Sequence, residues 1–399
     1  MAEAKRAKNH PSSVAAVSHL SVNFIDLSIL NITPCGLDVF KEKMTEELYE
    51  TLKDSVLPII LYGMGNGADK IWKEFSRRGI VISGIMASDD FVRGQRFHEF
   101  TVKHLSDFEA LYGDFVIITA FGTSVPSVME HIRQLEQRHP LYAADVPVYG
   151  EHIWDRQYYE QNRTRIEQAY ALLSDSRSRD VFEKVIQYKL SGKLSYLRSA
   201  YSDKDEVFRE LLQITDDESY LDLGAYRGDT IDELLHYSGG GYRDITALEP
   251  DKKTFAKLKA HAGTWQRVHL YRMGIWSEDT DLPFDSALGR GSNIRQGGSE
   301  LLPVTKVDTL YKRRRLTYLK MDVEGCEREA IIGAAETLRR DRPKLNIAVY
   351  HRSEDIFSLP LLIHSIEPDY QFFLRQHPYV PAWDLNLYCR RAPGIASLN

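Results

Sequence analysis

Two acidic stretches and a histidine in this 399-residue sequence have types and spacings that could do chemistry. In Ser219–Thr230 an apolar run holding Asp222 gives way to Gly224-Ala225-Tyr226-Arg227-Gly228, then Asp229-Thr230. The glycines let a ligand approach the backbone closely, and Asp229 stands where an N-cap would accept from orphan backbone N–H groups. A helix opening there presents those donors to an anionic group. Glu249 follows roughly twenty residues later, the interval at which an acid can accept from both ribose hydroxyls. Farther on, Lys320-Met-Asp322-Val-Glu324-Gly325-Cys-Glu327 ends another apolar run, and His351 ends the next. Carboxylates and an imidazole at neighbouring positions can take a proton from a hydroxyl. The same set, Asp322, Glu324 and His351, could instead hold magnesium or manganese, which favour carboxylate oxygen. A base role without metal is the preferred reading, with His351 as the base. Glu327 reads as an acid favoured at a helix N-terminus, and Lys320 as a structural ion-pair partner.

These residues need a scaffold that brings them together. Apolar runs at 220–223, 245–248, 268–273, 316–321, 344–350, 370–375 and 385–389 alternate with helical patterns, except between the last two. That order predicts a doubly wound α/β sheet of seven strands whose final pair forms an antiparallel edge hairpin. Ligands sit outside the carboxyl ends of such strands, where Asp222, Glu249, Asp322 and His351 fall. Upstream, runs at 58–62, 80–86 and 115–119 alternate with helical patterns and predict a smaller Rossmann-like α/β domain. Its turn Gly63-Met-Gly65-Asn-Gly67-Ala68, with Asp89 beyond the second strand, matches most of a dinucleotide fingerprint. The division expected is an N-terminal extension, partly helical, over 1–57; the Rossmann-like domain over 58–150; a helical connector over 151–217; and the larger domain over 218–399. The Gly289–Gly298 stretch reads as an irregular loop or as a lid carrying Ser292 and Asn293.

The glycine turn after Leu223 departs from a pyrophosphate cradle. Tyr226 stands where a dinucleotide fingerprint has its middle glycine, and Asp222 adds negative charge. A cofactor with an ammonium, a carboxylate and a ribose suits this arrangement, and S-adenosylmethionine has all three. Asp222, Gly224, Ala225, Tyr226, Gly228, Asp229, Thr230 and Glu249 are the candidate cofactor-binding residues. An NAD(P)-dependent oxidoreductase using the upstream glycine turn, or a methyltransferase-like module without activity, remain the alternatives.

The segments Asp222–Thr230, Glu249-Pro250 and Lys320–Glu327 together resemble the FkbM-type methyltransferases, over about residues 220–350. The resemblance implies a class I methyltransferase fold and an S-adenosylmethionine-dependent O-methyltransferase. Its acceptor would be a hydroxyl of a sugar, a glycoconjugate precursor or a secondary metabolite. One departure is Tyr226, where the family commonly has Asn.

Composition narrows the partners. With 43% hydrophobic and 27% charged residues the chain reads as an ordinary globular protein. A formal charge of −6 speaks against nucleic-acid binding. The basic runs Lys312–Arg315 and Arg339–Arg342 read as solvated surface. Three cysteines without metal spacing fit a reducing, cytoplasmic compartment. Polar interruptions within 14–32 argue against membrane insertion. A small-molecule or carbohydrate acceptor is expected, with a nucleotide-linked ligand at the first domain and a homo-oligomer as further candidates.

Overall fold

A four-stranded parallel sheet and a seven-stranded, mainly parallel sheet, joined by a run of helices, carry the chain. The computed structural model describes residues 46–285, 293–294 and 300–392. All of them fall within one unit spanning Ile32–Asn399. Of the partly helical extension expected over 1–57, residues 46–57 are described, and α1 (Leu48–Lys53) is the helix among them.

The first sheet contains β1 (Ile59–Tyr62) and β2 (Gly84–Met86), with α2 (Asn66–Arg78) between them. A small hairpin of β3 (Arg96–Phe97) and β4 (Phe100–Thr101) follows, then α3 (Leu105–Tyr112), β5 (Val116–Thr119), α4 (Pro126–Glu136) and β6 (Leu141–Ala143). The order is β2-β1-β5-β6, all parallel. β1 and β5 read Ile-Ile-Leu-Tyr and Val-Ile-Ile-Thr and are buried throughout, as strands covered on both faces must be. The sequence reading lacked β6, whose three residues are too short a run to signal a strand, and it extended β2 back to residue 80.

Three helices follow: α5 (Arg156–Leu172), α6 (Ser176–Ser191) and α7 (Leu194–Ala200). Asp155 and Asp175 cap α5 and α6 by accepting from Tyr158 N and Ser178 N. Gly192 ends α6 in the left-handed region at φ 68°. A π-helical turn at Glu206–Leu211 then leads to the second sheet. Arg375, 1% exposed, bridges Asp175 and Glu206 at 2.8 Å each and pins this helical run to the sheet. Two charges held against one buried guanidinium offset its desolvation.

The second sheet takes β7 (Ser219–Leu223), β8 (Asp244–Leu248) and β9 (Val268–Tyr271), linked by α8 (Asp229–Ser238) and α9 (Lys252–Ala262). An inserted small sheet of β10 (Gly274–Ile275), β11 (Thr280–Asp285), β12 (Asn293–Ile294) and β13 (Glu300–Thr305) follows, then the short α10 (Val307–Leu310). The main sheet resumes with β14 (Tyr318–Met321), α11 (Glu327–Ile332), α12 (Ala335–Asp341), β15 (Lys344–Ala348), α13 (Asp355–Ile366), β16 (Tyr370–Gln376) and β17 (Leu385–Arg391). Its order is β16-β17-β15-β14-β7-β8-β9, with β17 antiparallel to both neighbours. This is the doubly wound order with an edge hairpin that the alternation of strands and helices implied. The sequence reading placed no strands here; β11 and β13 pair across the Gly289–Gly298 stretch that reads as an irregular loop or a lid. Ser292 lies outside the described residues, and of Asn293 only its place in β12 is described.

The two basic runs meet at the amino edge of this sheet. Arg340 donates to the Tyr311 carbonyl at 3.0 Å and pairs with Asp341, while Arg314 pairs with Asp244 and Arg342 with Glu367. No described helix is long and apolar enough to cross a membrane.

Candidate active site

In the order β8-β7-β14-β15, four neighbouring strands place Glu249, Asp222, Asp322 and His351 at or just beyond their carboxyl ends. Asp222 is 0% exposed, and Thr230 Oγ1 donates to its Oδ2. Its Oδ1 has no hydrogen-bond partner. Burial pushes this carboxyl up to about 6, against the pull of Lys320, which stands opposite Asp222 in register on β14. The Lys320 ammonium is also 3.4 Å from Asp322, so it lies between two acids as an ion-pair partner.

The turn after Asp222 folds tightly under β8. Gly224 N and Ala225 N both donate to Leu248 O, at 3.1 and 3.0 Å. Gly224 has φ 81°, and a Cβ there would lie 1.9 Å from the Asp322 carbonyl oxygen. We therefore expect Gly224→Ala to destabilise the chain by about 3 kcal/mol or more, from backbone overlap together with a disfavoured φ. Denaturant unfolding checks this; a variant within about 1 kcal/mol of wild type would contradict it.

Gly228, at φ 96°, is the N-cap of α8, which moves Asp229 from the expected cap to the exposed first helical position. An acid there still favours the helix N-terminus. Tyr226 has φ 47°, in the left-handed region where Asn is tolerated better than a bulky residue. The conformation explains why Asn suits this turn, whose left-handed position this chain fills with a strained Tyr. Tyr226 N donates to Glu249 Oε2 at 3.0 Å, and Asp251 N to Glu249 Oε1 at 2.8 Å. Glu249 is 7% exposed, and burial pushes its carboxyl up to about 7 despite those two donors. Each of its oxygens keeps a second lone pair.

At the ends of β14 and β15 a denser cluster forms. His351 is 1% exposed. Its Nδ1 lies 2.8 Å from Glu327 Oε1, and its Nε2 lies 3.3 Å from Asp322 Oδ1 and 3.5 Å from Glu324 Oε2. Burial alone would lower the imidazole, but Glu327, Asp322 and Glu324 outweigh it and raise it to about 10. At neutral pH the ring is an imidazolium facing carboxylates at both nitrogens, with no lone pair to accept a proton. That favours a positioning role for His351 over the base role expected of it. Lys320 and His351 together also outweigh the burial of Asp322 and hold its carboxyl below the usual range.

Glu324 differs from both. Burial pushes it up to about 7, with His351 opposing. Its backbone is strained at φ 54°, and its side chain is only part-buried. A group that titrates near neutrality and reaches the cleft is suited to accept a proton. Asp322, Glu327 and His351 offer ligand atoms within 4.8 Å of one another. However, Glu327 faces the opposite ring nitrogen from Asp322 and accepts from Val323 N at 3.0 Å.

Sequence reasoning missed two residues here. Glu327 is 0% exposed and braces His351, instead of sitting at an exposed helix start. Its place in the Lys320–Glu327 block was the available signal. Tyr149, whose hydroxyl donates to Glu324 Oε2 at 3.2 Å, comes from a segment far upstream and gave no signal.

The upstream glycine turn is mostly accounted for by packing. A Cβ on Gly63 would meet the Phe121 ring at 2.8 Å, and one on Gly67 the Ala120 carbonyl oxygen at 2.6 Å. Gly65 alone faces open space. Asp89 is exposed and pairs with His104 at 2.7 Å. Residues of this turn and of β5 and β6 also line a cavity of about 10 Å³ closed by Pro381 and Trp383.

Comparison with known proteins bears on the fold and on one stretch of the sequence. Residues 222–379, about two-fifths of the chain, match the family model described as the methyltransferase FkbM domain. A methyltransferase FkbM from Methylobacillus flagellatus KT is similar in structure at a TM-score of 0.67 and 20% identity, over 86% of this chain and 92% of that one. That likeness in fold reaches well beyond the matched stretch. Weaker similarities, at a TM-score of 0.30, include an rRNA methylase from Streptococcus thermophilus (13% identity, 47% of this chain and 94% of that one). Another is fibrillarin from Aeropyrum pernix in complex with S-adenosyl-L-methionine (12% identity, 47% and 73%). No curated protein matches. Residues 222–379 of the chain thus match the methyltransferase FkbM domain in sequence, within a fold similar to that of a methyltransferase FkbM.

Proposed function

We propose that the chain is an S-adenosylmethionine-dependent O-methyltransferase that acts on a hydroxyl of a sugar, a glycoconjugate precursor or a related metabolite. The observation that carries this reading is the pair of buried acids at adjacent strand ends flanking the glycine turn. Asp222 keeps an unmatched oxygen there, and Glu249 keeps free lone pairs. An orphan carboxylate oxygen beside a helix N-terminus fits a cofactor that brings an ammonium, a carboxylate and a ribose. Asp222, Gly224, Ala225, Tyr226, Gly228, Asp229 and Thr230 would hold its amino-acid end and Glu249 its ribose. Bound there, S-adenosylmethionine supplies an already activated methyl group.

The chain's own task is then to present the acceptor oxygen in line and to remove its proton. Glu324 takes that proton. His351, fixed by Glu327, holds Asp322 and Glu324 in place and offsets their mutual repulsion. Lys320 does the same between Asp222 and Asp322.

Incubation with methyl-labelled S-adenosylmethionine and a panel of hydroxylated sugars tests the reading. Label recovered as a methyl ether supports it; label recovered only on nitrogen or carbon acceptors overturns it. A magnesium or manganese ion held by Asp322, Glu324 and His351 is the competing route to an activated hydroxyl. Full activity after treatment with a chelator favours the metal-free route, and lost activity restored by either ion favours the other.

A further inference from the structure

We propose that Tyr149 is a positioning residue for Glu324, supplied to the methyltransferase site by the strap that leaves the first sheet. This rests on the reading of Glu324 as the base. Tyr149 lies outside the matched stretch 222–379, in the segment after β6. Its hydroxyl donates to Glu324 Oε2 at 3.2 Å, the oxygen that also lies 3.5 Å from His351 Nε2. One hydroxyl donor and one imidazole nitrogen at ion-pair distance therefore converge on Oε2. The other oxygen, Oε1, makes no hydrogen bond among the described residues, which on this reading leaves it for the acceptor.

The placement of Tyr149 is over-determined. Its backbone N–H donates to the His351 carbonyl at 2.9 Å. Its ring lies against Gly325, where φ is 89° and a Cβ would come within 2.8 Å of the ring. Farther along the strap, Ser353 Oγ donates to the His152 carbonyl and Trp154 Nε1 to the Ser353 carbonyl at 3.0 Å. On the other side, Lys70 of α2 donates to the carbonyls of Pro147 and Val148 at 2.8 and 2.6 Å. The strap is tied at one end to the helix of the upstream glycine turn and at the other to the loop carrying His351. A glutamate in a strained backbone conformation needs such outside support to keep one geometry.

The test uses the full chain with 3-fluorotyrosine at position 149, observed by fluorine NMR. Glu324→Gln is expected to displace the resonance, and Glu336→Gln, remote on an exposed helix face, to leave it in place. A resonance indifferent to Glu324→Gln would overturn the proposal. In parallel, Tyr149→Phe keeps the ring on Gly325 and removes only the hydroxyl. It should bind S-adenosylmethionine within about two-fold of wild type while kcat on a hydroxyl acceptor falls roughly ten- to a hundred-fold, the effect of losing one hydrogen bond to a charged group. A loss confined to KM would also overturn it. Wild type that binds no S-adenosylmethionine would defeat the functional reading while leaving the fluorine result to stand or fall separately.

Discussion

Glu324→Gln should lower methyl transfer by about 10²–10⁴-fold, the range supplied by a positioned general base, with S-adenosylmethionine affinity nearly unchanged. Glutamine keeps the size of the side chain and an oxygen for Tyr149 and His351, but it cannot take a proton. The pH profile separates this role from a structural one. Glu324 is raised to about 7, and only its ionised form can accept a proton. The wild-type rate should therefore climb as pH rises through 7 and then level off, while the variant loses that limb. A variant within a few-fold of wild type, or one that keeps the limb, would reassign the base. His351→Asn would not discriminate as well. It removes the cation that compensates Glu327, which is 0% exposed, so lost activity would be mixed with lost stability.

Glu249→Ala is expected to weaken S-adenosylmethionine binding by roughly ten- to a hundred-fold or more, since in the proposed reading its carboxylate accepts from both ribose hydroxyls. The same change strips acceptors from Tyr226 N and Asp251 N, so stability must be measured alongside affinity. Glu249→Gln retains one acceptor oxygen and should fall between. Burial raises this carboxyl to about 7, so wild-type affinity should weaken as pH drops below 7 and the group takes up a proton. Affinity unchanged in both variants would mean that the ribose lies elsewhere.

The second sheet was legible because its strands are long apolar runs that end in charge. Asp222, Asp322 and His351 each break such a run where the strand stops, and a doubly wound order makes those breaks converge. The sign of His351 was not legible. Whether an imidazole is a base or a cation depends on how many carboxylates surround it, and Glu327 reaches Nδ1 only through the turn of the chain at Gly325. Tyr149 was hidden for a related reason: its contact with Glu324 spans 175 residues and follows from strap geometry, not from spacing. The upstream glycines have a packing explanation beside the ligand one. Gly63 and Gly67 have the spacing of a ligand cradle, yet Phe121 and the Ala120 carbonyl occupy the space their missing side chains leave.

The account turns on the cofactor, and calorimetric titration of the full-length chain tests it most directly. With S-adenosylmethionine it predicts a saturable one-to-one isotherm, lost or much weakened in Glu249→Ala, and no heat with NAD. Binding of NAD with none of S-adenosylmethionine would contradict it.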